Sequence, residues 1–161
     1  MDATSDEAKG DGRIIQVVTF DLGEQEFGIE ISAAREIIRM VPTTKIPGAP
    51  AFLEGVFELR GHVIPVIDLH NRLGLAQSAS KKESCILVID ISGNTFGLLI
   101  DGVREVLHLS DAILEQPPAI TMGTNTGYVL SIAKLENRLL YLLDAEKLII
   151  YNKEQTELSI Y

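Results

Sequence analysis

The feature that most constrains this chain is that it contains the same unit twice. The segment TFDLGEQEFGIEISAAREII (19–38) lies over VIDISGNTFGLLIDGVREVL (88–107) without a gap. At one offset, 69 residues, Asp21 meets Asp90, Phe27-Gly28 meets Phe96-Gly97, Ile31 meets Ile100, and Arg35-Glu36 meets Arg104-Glu105. A second correspondence, at offset 76, places VIPVIDL (63–69) over LLYLLDA (139–145), with Asp68 on Asp144 and Gly61 on Asn137. The seven extra residues fit an insertion in the loop around 117–127. Self-similarity at a fixed spacing marks repeated supersecondary units. A unit of about 70 residues closes only a marginal core alone, so two copies gain by burying part of each other and leave a groove between them.

The unit is built of strands. Runs rich in Val, Ile and Leu occur at 14–20, 27–31, 63–67, 85–91, 96–100, 128–135 and 138–143, bounded by Gly, Asn, Asp or Pro. Residues 85–91 and 96–100 read as a hairpin around Gly93-Asn94, and Glu136-Asn137 and Leu22-Gly23 read as turns. Pro117-Pro118 and MGTNTG read as an exposed loop. Helix is scarce. Asp68 and Asp144 are each placed to cap a short helix, LHNRL and AEKLIIY, and Gly74 to end the first in a left-handed conformation. Each copy therefore reads as roughly five strands and a short helix.

Charge and composition exclude several classes of function. The net charge is −9 and the pI about 4.8, which disfavours a phosphate backbone or an anionic membrane surface as partner, so no nucleic acid is expected. No apolar run approaches the ~20 residues of a membrane span, so no direct membrane insertion is expected. The polar, acidic start, MDATSDEAKGDGR, is not a signal peptide. The single Cys85 suits a reducing cytoplasm.

Catalytic readings find little support. Asp68 and Asp144 occupy equivalent positions, and paired aspartates in a duplicated chain suggest an acid hydrolase in which two carboxylates share a proton. Such sites set each Asp in a Gly-containing turn beside a hydroxyl residue, whereas here Asp68 precedes Leu69-His70 and Asp144 precedes Ala145-Glu146. Capping accounts for both aspartates without chemistry. His62, Asp68 and His70 alternate along one strand face, but they span too far for one metal. Exposed histidines at a strand end and on a helix are the simpler expectation. Cys85 opens an apolar strand and lacks the surroundings of a nucleophile. No glycine-rich nucleotide loop is present, so neither cofactor, metal nor catalysis is expected.

What remains is surface for other proteins. In GVFELRGHVIPVIDL (55–69), residues 55–59 and 63–67 read as two strands joined by a turn at Arg60-Gly61. That turn displays Arg60, whose guanidinium suits a forked contact with a carboxylate. Glu58, two residues earlier, is placed to pair with Arg60. The group Ala34, Ile37, Ile38, Met40 and Val41 carries more apolar surface than one strand face buries, so part of it is expected to line the groove between copies.

This stretch closely resembles the signature of the CheW family of chemotaxis coupling proteins, usually Gly-Val-(Ile/Thr)-Asn-Leu-Arg-Gly-x-(Ile/Val)-(Ile/Val)-Pro-(Val/Ile)-(Ile/Val)-(Asp/Asn)-Leu. EFGIEISAAREIIRMVPTTKIPGAPAFLEG and FGLLIDGVREVL are also similar to that family, so the likeness covers about 13–150. Glu58 stands where the family usually has Asn, and Phe57 where it has a smaller β-branched residue. The resemblance implies an all-β fold of two pseudo-symmetric five-stranded small barrels with short helices. Residues 13–150 would form one domain of two intertwined barrels, about 20–83 and 84–150, with the N-terminal strand open to sharing between them. Residues 1–12 would be a disordered acidic tail and 151–161 a C-terminal tail.

The resemblance also implies a function. Such proteins are non-enzymatic adaptors that couple the cytoplasmic tips of chemoreceptors (methyl-accepting chemotaxis proteins) to the regulatory domain of the histidine kinase CheA. They work in arrays at the inner face of the membrane, and barrel-to-barrel pairing with CheA or with themselves links them into rings. Carried over by motif position, Val56, Glu58, Arg60 and Gly61 are expected to bind protein, Ile37 and Ile38 to line the groove beside Glu36, and Asp101, Gly102, Val103, Glu105 and Val106 to form the matching edge of the second copy. Two alternatives stay open: a coupling protein of another chemosensory pathway, controlling pili or gene expression, and an acid hydrolase using Asp68 and Asp144. With only a short tail after residue 150, the receiver-fused members of the family are not expected.

Overall fold

The computed structural model describes residues 12–75, 84–117 and 126–149. The acidic N-terminal tail up to residue 11, most of the loop at 117–127 and the C-terminal tail 151–161 lie outside the described residues. The first copy supplies β1 (Ile14–Leu22), β2 (Gln25–Glu30), β3 (Ala34–Arg39), β4 (Leu53–Leu59), β5 (His62–Asp68) and α1 (Leu69–Leu73). The second supplies β6 (Cys85–Ile91), β7 (Asn94–Ile100), β8 (Gly102–Ser110), β9 (Leu114–Glu115), β10 (Val129–Lys134), β11 (Leu139–Leu143) and α2 (Ala145–Ile149).

The two sheets do not follow the two copies. One has the order β8-β1-β2-β11-β10-β9, the other β3-β6-β7-β5-β4. Each copy thus lends its first hairpin to the sheet built mostly from the other copy, and sheet membership cuts across the boundary expected near 83–84. The repeat is kept in fine detail. β1–β8 and β3–β6 both carry a bulge, between Thr19/Phe20 and between Ala34/Glu36, which leaves the equivalent residues Arg104 and Arg35 outside the ladder. Arg35 then reaches Asp90 at 3.3 Å and Arg104 reaches Asp21 at 3.4 Å, each crossing to the other copy. The parallel pairs match as well: Val66 faces Gly97, and Leu142 faces Gly28. Both crossings are tight: a Cβ on Gly97 would lie 2.7 Å from the Ile86 methyl carbon, closer than packing allows, and one on Gly28 would lie 3.3 Å from both Leu142 and the Val18 carbonyl oxygen.

Period-two alternation distributes the core into three layers. Along β6, Leu87 and Ile89 face a central cluster while Ile86 and Val88 face the other way. Along β11, Leu143 joins the centre and Leu140 and Leu142 face away. The central layer, with Phe20, Leu22, Ile29, Leu69, Leu98, Ile100 and Leu148, draws on both sheets and both helices. Each sheet also curls over a smaller cluster of its own. Burial on both faces explains the near-continuous apolar runs of β6 and β7.

Four expectations need correction. The sheets are open rather than closed barrels: on the five-stranded side the outer strands β3 and β4 share no ladder among the described residues, and the chain after β3 meets β4 at the Thr44–Val56 bridge. The other sheet has six strands, because the two-residue β9 adds to its edge. β3 and β8 are strands although AREIIR and VREVLH interrupt their apolar pattern with charge; Arg35 and Arg104 sit at the bulges, Arg39 and Glu105 are exposed, and Glu36 is half-buried. His70 is buried, not an exposed helix residue.

Candidate functional site

The β4–β5 turn is the two-residue loop Arg60-Gly61, with Leu59 opposite His62. Arg60 has φ +50° and Gly61 φ +84°, the left-handed pair that a tight hairpin loop of matching twist requires. Glycine takes that conformation freely, but for Arg60 it costs roughly 1–2 kcal/mol. Side chains held in such sparse regions cluster at functional sites. The guanidinium is exposed yet not idle. It makes a forked pair with Glu36 on β3, Nη1 donating at 2.6 Å and Nη2 at 2.9 Å. Arg60 therefore pairs with Glu36 on the far edge of the sheet, and Glu58, expected as its partner, is exposed on β4. The hydrogen bond from Arg60 holds the Glu36 carboxyl below the usual carboxylate range.

Val63, 69% exposed, lines the cleft beside the fork, whereas Ile37, 48% exposed, is on the face of β3 opposite to Glu36. Ile38 takes the opposite face of β3 and packs with Phe57 against the cluster under the sheet. A cleft of about 690 Å³ opens beside the fork, lined among others by Arg35, Glu36, Arg60, Asp90, Asn94 and Phe96. Val56 is half-buried and tied to Thr44 in both directions, at 2.8 and 2.9 Å, so it supports the hairpin more than it displays itself.

The second copy rebuilds the arrangement from a different arginine. Glu105 on β8, the repeat mate of Glu36, accepts from Arg138 at 2.9 Å. Arg138 lies in the β10–β11 turn, where its Nε also donates to Glu26 at 2.7 Å. Val106 and Leu139, mates of Ile37 and Val63, are 45% and 48% exposed. Arg138 escapes a reading by repeats, since its mate is His62 and the mate of Arg60 is Glu136. The signal was nonetheless present, an arginine in the turn that matches the Arg60 turn. Glu26 is buried, with Oε2 lacking a hydrogen-bond partner among the described residues.

Asp101, Gly102 and Val103 do not join that exposed patch. Asp101 accepts from Gly23 N–H at 2.6 Å and lies 3.0 Å from the buried His70 Nε2, and Val103 packs on the central cluster. Asp68 and Asp144 cap their helices with matching geometry. Asp68 Oδ1 accepts from His70 and Asn71 N–H at 3.1 and 3.4 Å, and Asp144 Oδ1 from Glu146 and Lys147 N–H at the same two distances. Their oxygens serve helix ends rather than a reaction. Gly74 ends α1 at φ +74°. Burial pushes the Cys85 thiol up, away from the reactive thiolate.

A family profile described as "CheW-like domain" matches residues 16–152. The chain is 32% identical over 137 residues to the chemotaxis protein CheW of Treponema pallidum, covering 83% of this chain and 81% of that one. It is 33% identical over 133 residues to the probable chemotaxis protein CheW of Rhizobium etli, covering 83% and 86%. Among solved structures, the scaffolding protein TtCheW from Thermoanaerobacter tengcongensis is similar with a TM-score of 0.79 and 35% identity, over 87% of this chain and 95% of that one.

Proposed function

This chain belongs to the CheW family of chemotaxis scaffold proteins, not to a family of enzymes, and on that premise we propose that it couples the cytoplasmic tips of chemoreceptors to the regulatory domain of the histidine kinase CheA. It does so in the cytoplasm, at arrays on the inner face of the membrane. Among the described residues no helix is long and apolar enough to cross a membrane, so attachment to the array runs through its protein partners. The observation that carries the reading is the Arg60–Glu36 fork, held at a strained hairpin tip beside exposed Val63, with exposed Ile37 on the other face of the same edge strand. A charged fork set among aliphatic side chains supplies both parts of a protein contact, orientation and apolar area. An adaptor that couples and uncouples needs modest interfaces, about 1,200 Å² or less of buried area.

Co-purification with the cognate kinase, with and without receptor tip, tests the proposal. Arg60→Ala is expected to melt near the wild-type temperature while capture of kinase or receptor falls about tenfold, roughly 1.4 kcal/mol. Wild-type protein that captures neither partner would reject the reading. A large loss of melting temperature with unchanged capture per folded molecule would remove Arg60 from it.

A further inference from the structure

Arg72 belongs to neither exposed patch. Arg72, half-buried on α1, has its guanidinium carbon 3.9 Å from the centre of the Phe52 ring and 4.9 Å from that of Tyr128. Its Nε donates to the Leu148 carbonyl at 2.9 Å and a terminal nitrogen to that of Lys147 at 3.5 Å, both on α2. Phe52 and Tyr128 are themselves repeat mates, one immediately before β4 and the other immediately before β10. Their carbonyls accept the N–H groups of Asp68 and Asp144 at 2.8 Å each, which closes the base of each second hairpin onto its helix. A single planar cation therefore touches the bases of both hairpins. The mate of Arg72 is Leu148, a fully buried core residue, so the contact is made once and not twice.

The chemistry favours arginine over any other cation. A guanidinium offers flat faces to the aromatic rings and a fork of N–H donors to two carbonyls, and an ammonium offers neither. The hairpins rooted here, β4–β5 and β10–β11, carry at their turns Arg60 and Arg138. A seven-residue strand is about 20 Å long, so a rotation of about 5° at the base moves a tip by about 2 Å. We propose that Arg72 is a positioning residue that fixes the angle between the two hairpins, and through it the relative placement of the two Arg–Glu patches. In its functional half this rests on the coupling reading above; in its structural half it does not.

Spin labels on Val63→Cys and Leu139→Cys, both exposed positions, report the tip-to-tip distance in a full-length Cys85→Ala background. The expected result is one narrow distance distribution with Arg72 present and a distribution roughly twofold broader, or displaced by about 2 Å, with Arg72→Lys. In the unlabelled protein, Arg72→Lys is expected to bind kinase alone and receptor tip alone within about twofold of wild type, while receptor control of the kinase falls about tenfold. An unchanged distribution overturns the positioning role, whether or not the wild type binds any partner. A broadened distribution with full receptor control overturns its part in coupling. Wild-type protein that binds neither partner sinks the coupling reading, and the label distances still decide the clamp. If Arg72→Lys does not fold, Tyr128→Leu removes one ring and carries the same readouts.

Discussion

The ends of the two sheets solve one problem in two ways. At the five-stranded end, half-buried Glu36 is met by the exposed tip arginine of an Arg-Gly turn. At the six-stranded end, Glu105 is met by Arg138, which also serves Glu26, whose side chain is only 5% exposed. The first pair is a surface fork that a partner can reach and reorganise. The second is tied to a buried carboxylate that no partner can replace. Repeat symmetry thus preserves the aliphatic pair and the glutamate at both ends, while the arginine is free to change position and, with it, its role.

The sharpest way to break that contrast is to remove each arginine. Arg138→Met removes the 2.7 Å hydrogen bond to the Glu26 carboxylate and leaves it only the looser Arg104 contact at 3.8 Å, so the melting temperature should fall by about 5–10 °C, and Glu26→Gln in the same chain should recover most of it. Arg60→Met should move it little, as exposed pairs do. Equal losses at both ends would erase the distinction.

Next come the two glycines at the parallel crossings. Gly97→Ala places a methyl 2.7 Å from the stiff, β-branched Ile86 and should cost about 1–3 kcal/mol by urea unfolding. Gly28→Ala, at 3.3 Å from both the Leu142 side-chain end and the Val18 carbonyl oxygen, is a looser approach and should cost less. The caps should rank likewise. Asp68→Ala, buried, should cost about 1–2 kcal/mol, and the more exposed Asp144→Ala about half that.

Smaller still is Arg60→Asn. Asn accepts the left-handed conformation, so the variant should melt at or slightly above the wild-type temperature while losing partner capture. A gain in stability paired with a loss of coupling would mark the strain as functional. The smallest effect is that of pH. The Glu36 carboxyl is depressed, chiefly by its hydrogen bond from Arg60, so its contribution is complete above the ordinary value of 4.5 and fades as pH falls through the lower folded value. The stability difference between wild type and Glu36→Gln should therefore shrink below pH 4.5 and stay constant above it.

Much of this was legible in the residues. The two offsets, 69 and 76, anticipate the shared bulges, caps and crossings, because each is set by a local pattern of Gly, Asp and alternating apolar residues. What the repeat could not show is which copy pairs with which, since both pairings satisfy the same pattern. Hence the exchange of the whole hairpins β1–β2 and β6–β7 was not readable from the repeat, although the family resemblance implied intertwined barrels with an N-terminal strand open to sharing. The strands β3 and β8 were obscured by charges whose place at a bulge only the ladder reveals. Arg60 was readable as exposed, but Glu36, on the opposite edge of the sheet, lies too far along the chain for a reading of neighbours. Arg138 was missed because alignment of copies assigns roles by position, and here the role had moved by two residues.

The exchange of first hairpins has a consequence for how the molecule comes apart. If the backbone were severed between residues 75 and 84, neither fragment would own a complete sheet: the N-terminal piece would hold β1 and β2 inside the framework of β8–β11, and the C-terminal piece β6 and β7 inside that of β3–β5. The nicked protein would migrate as one particle until denatured, each fragment acting as the other's template.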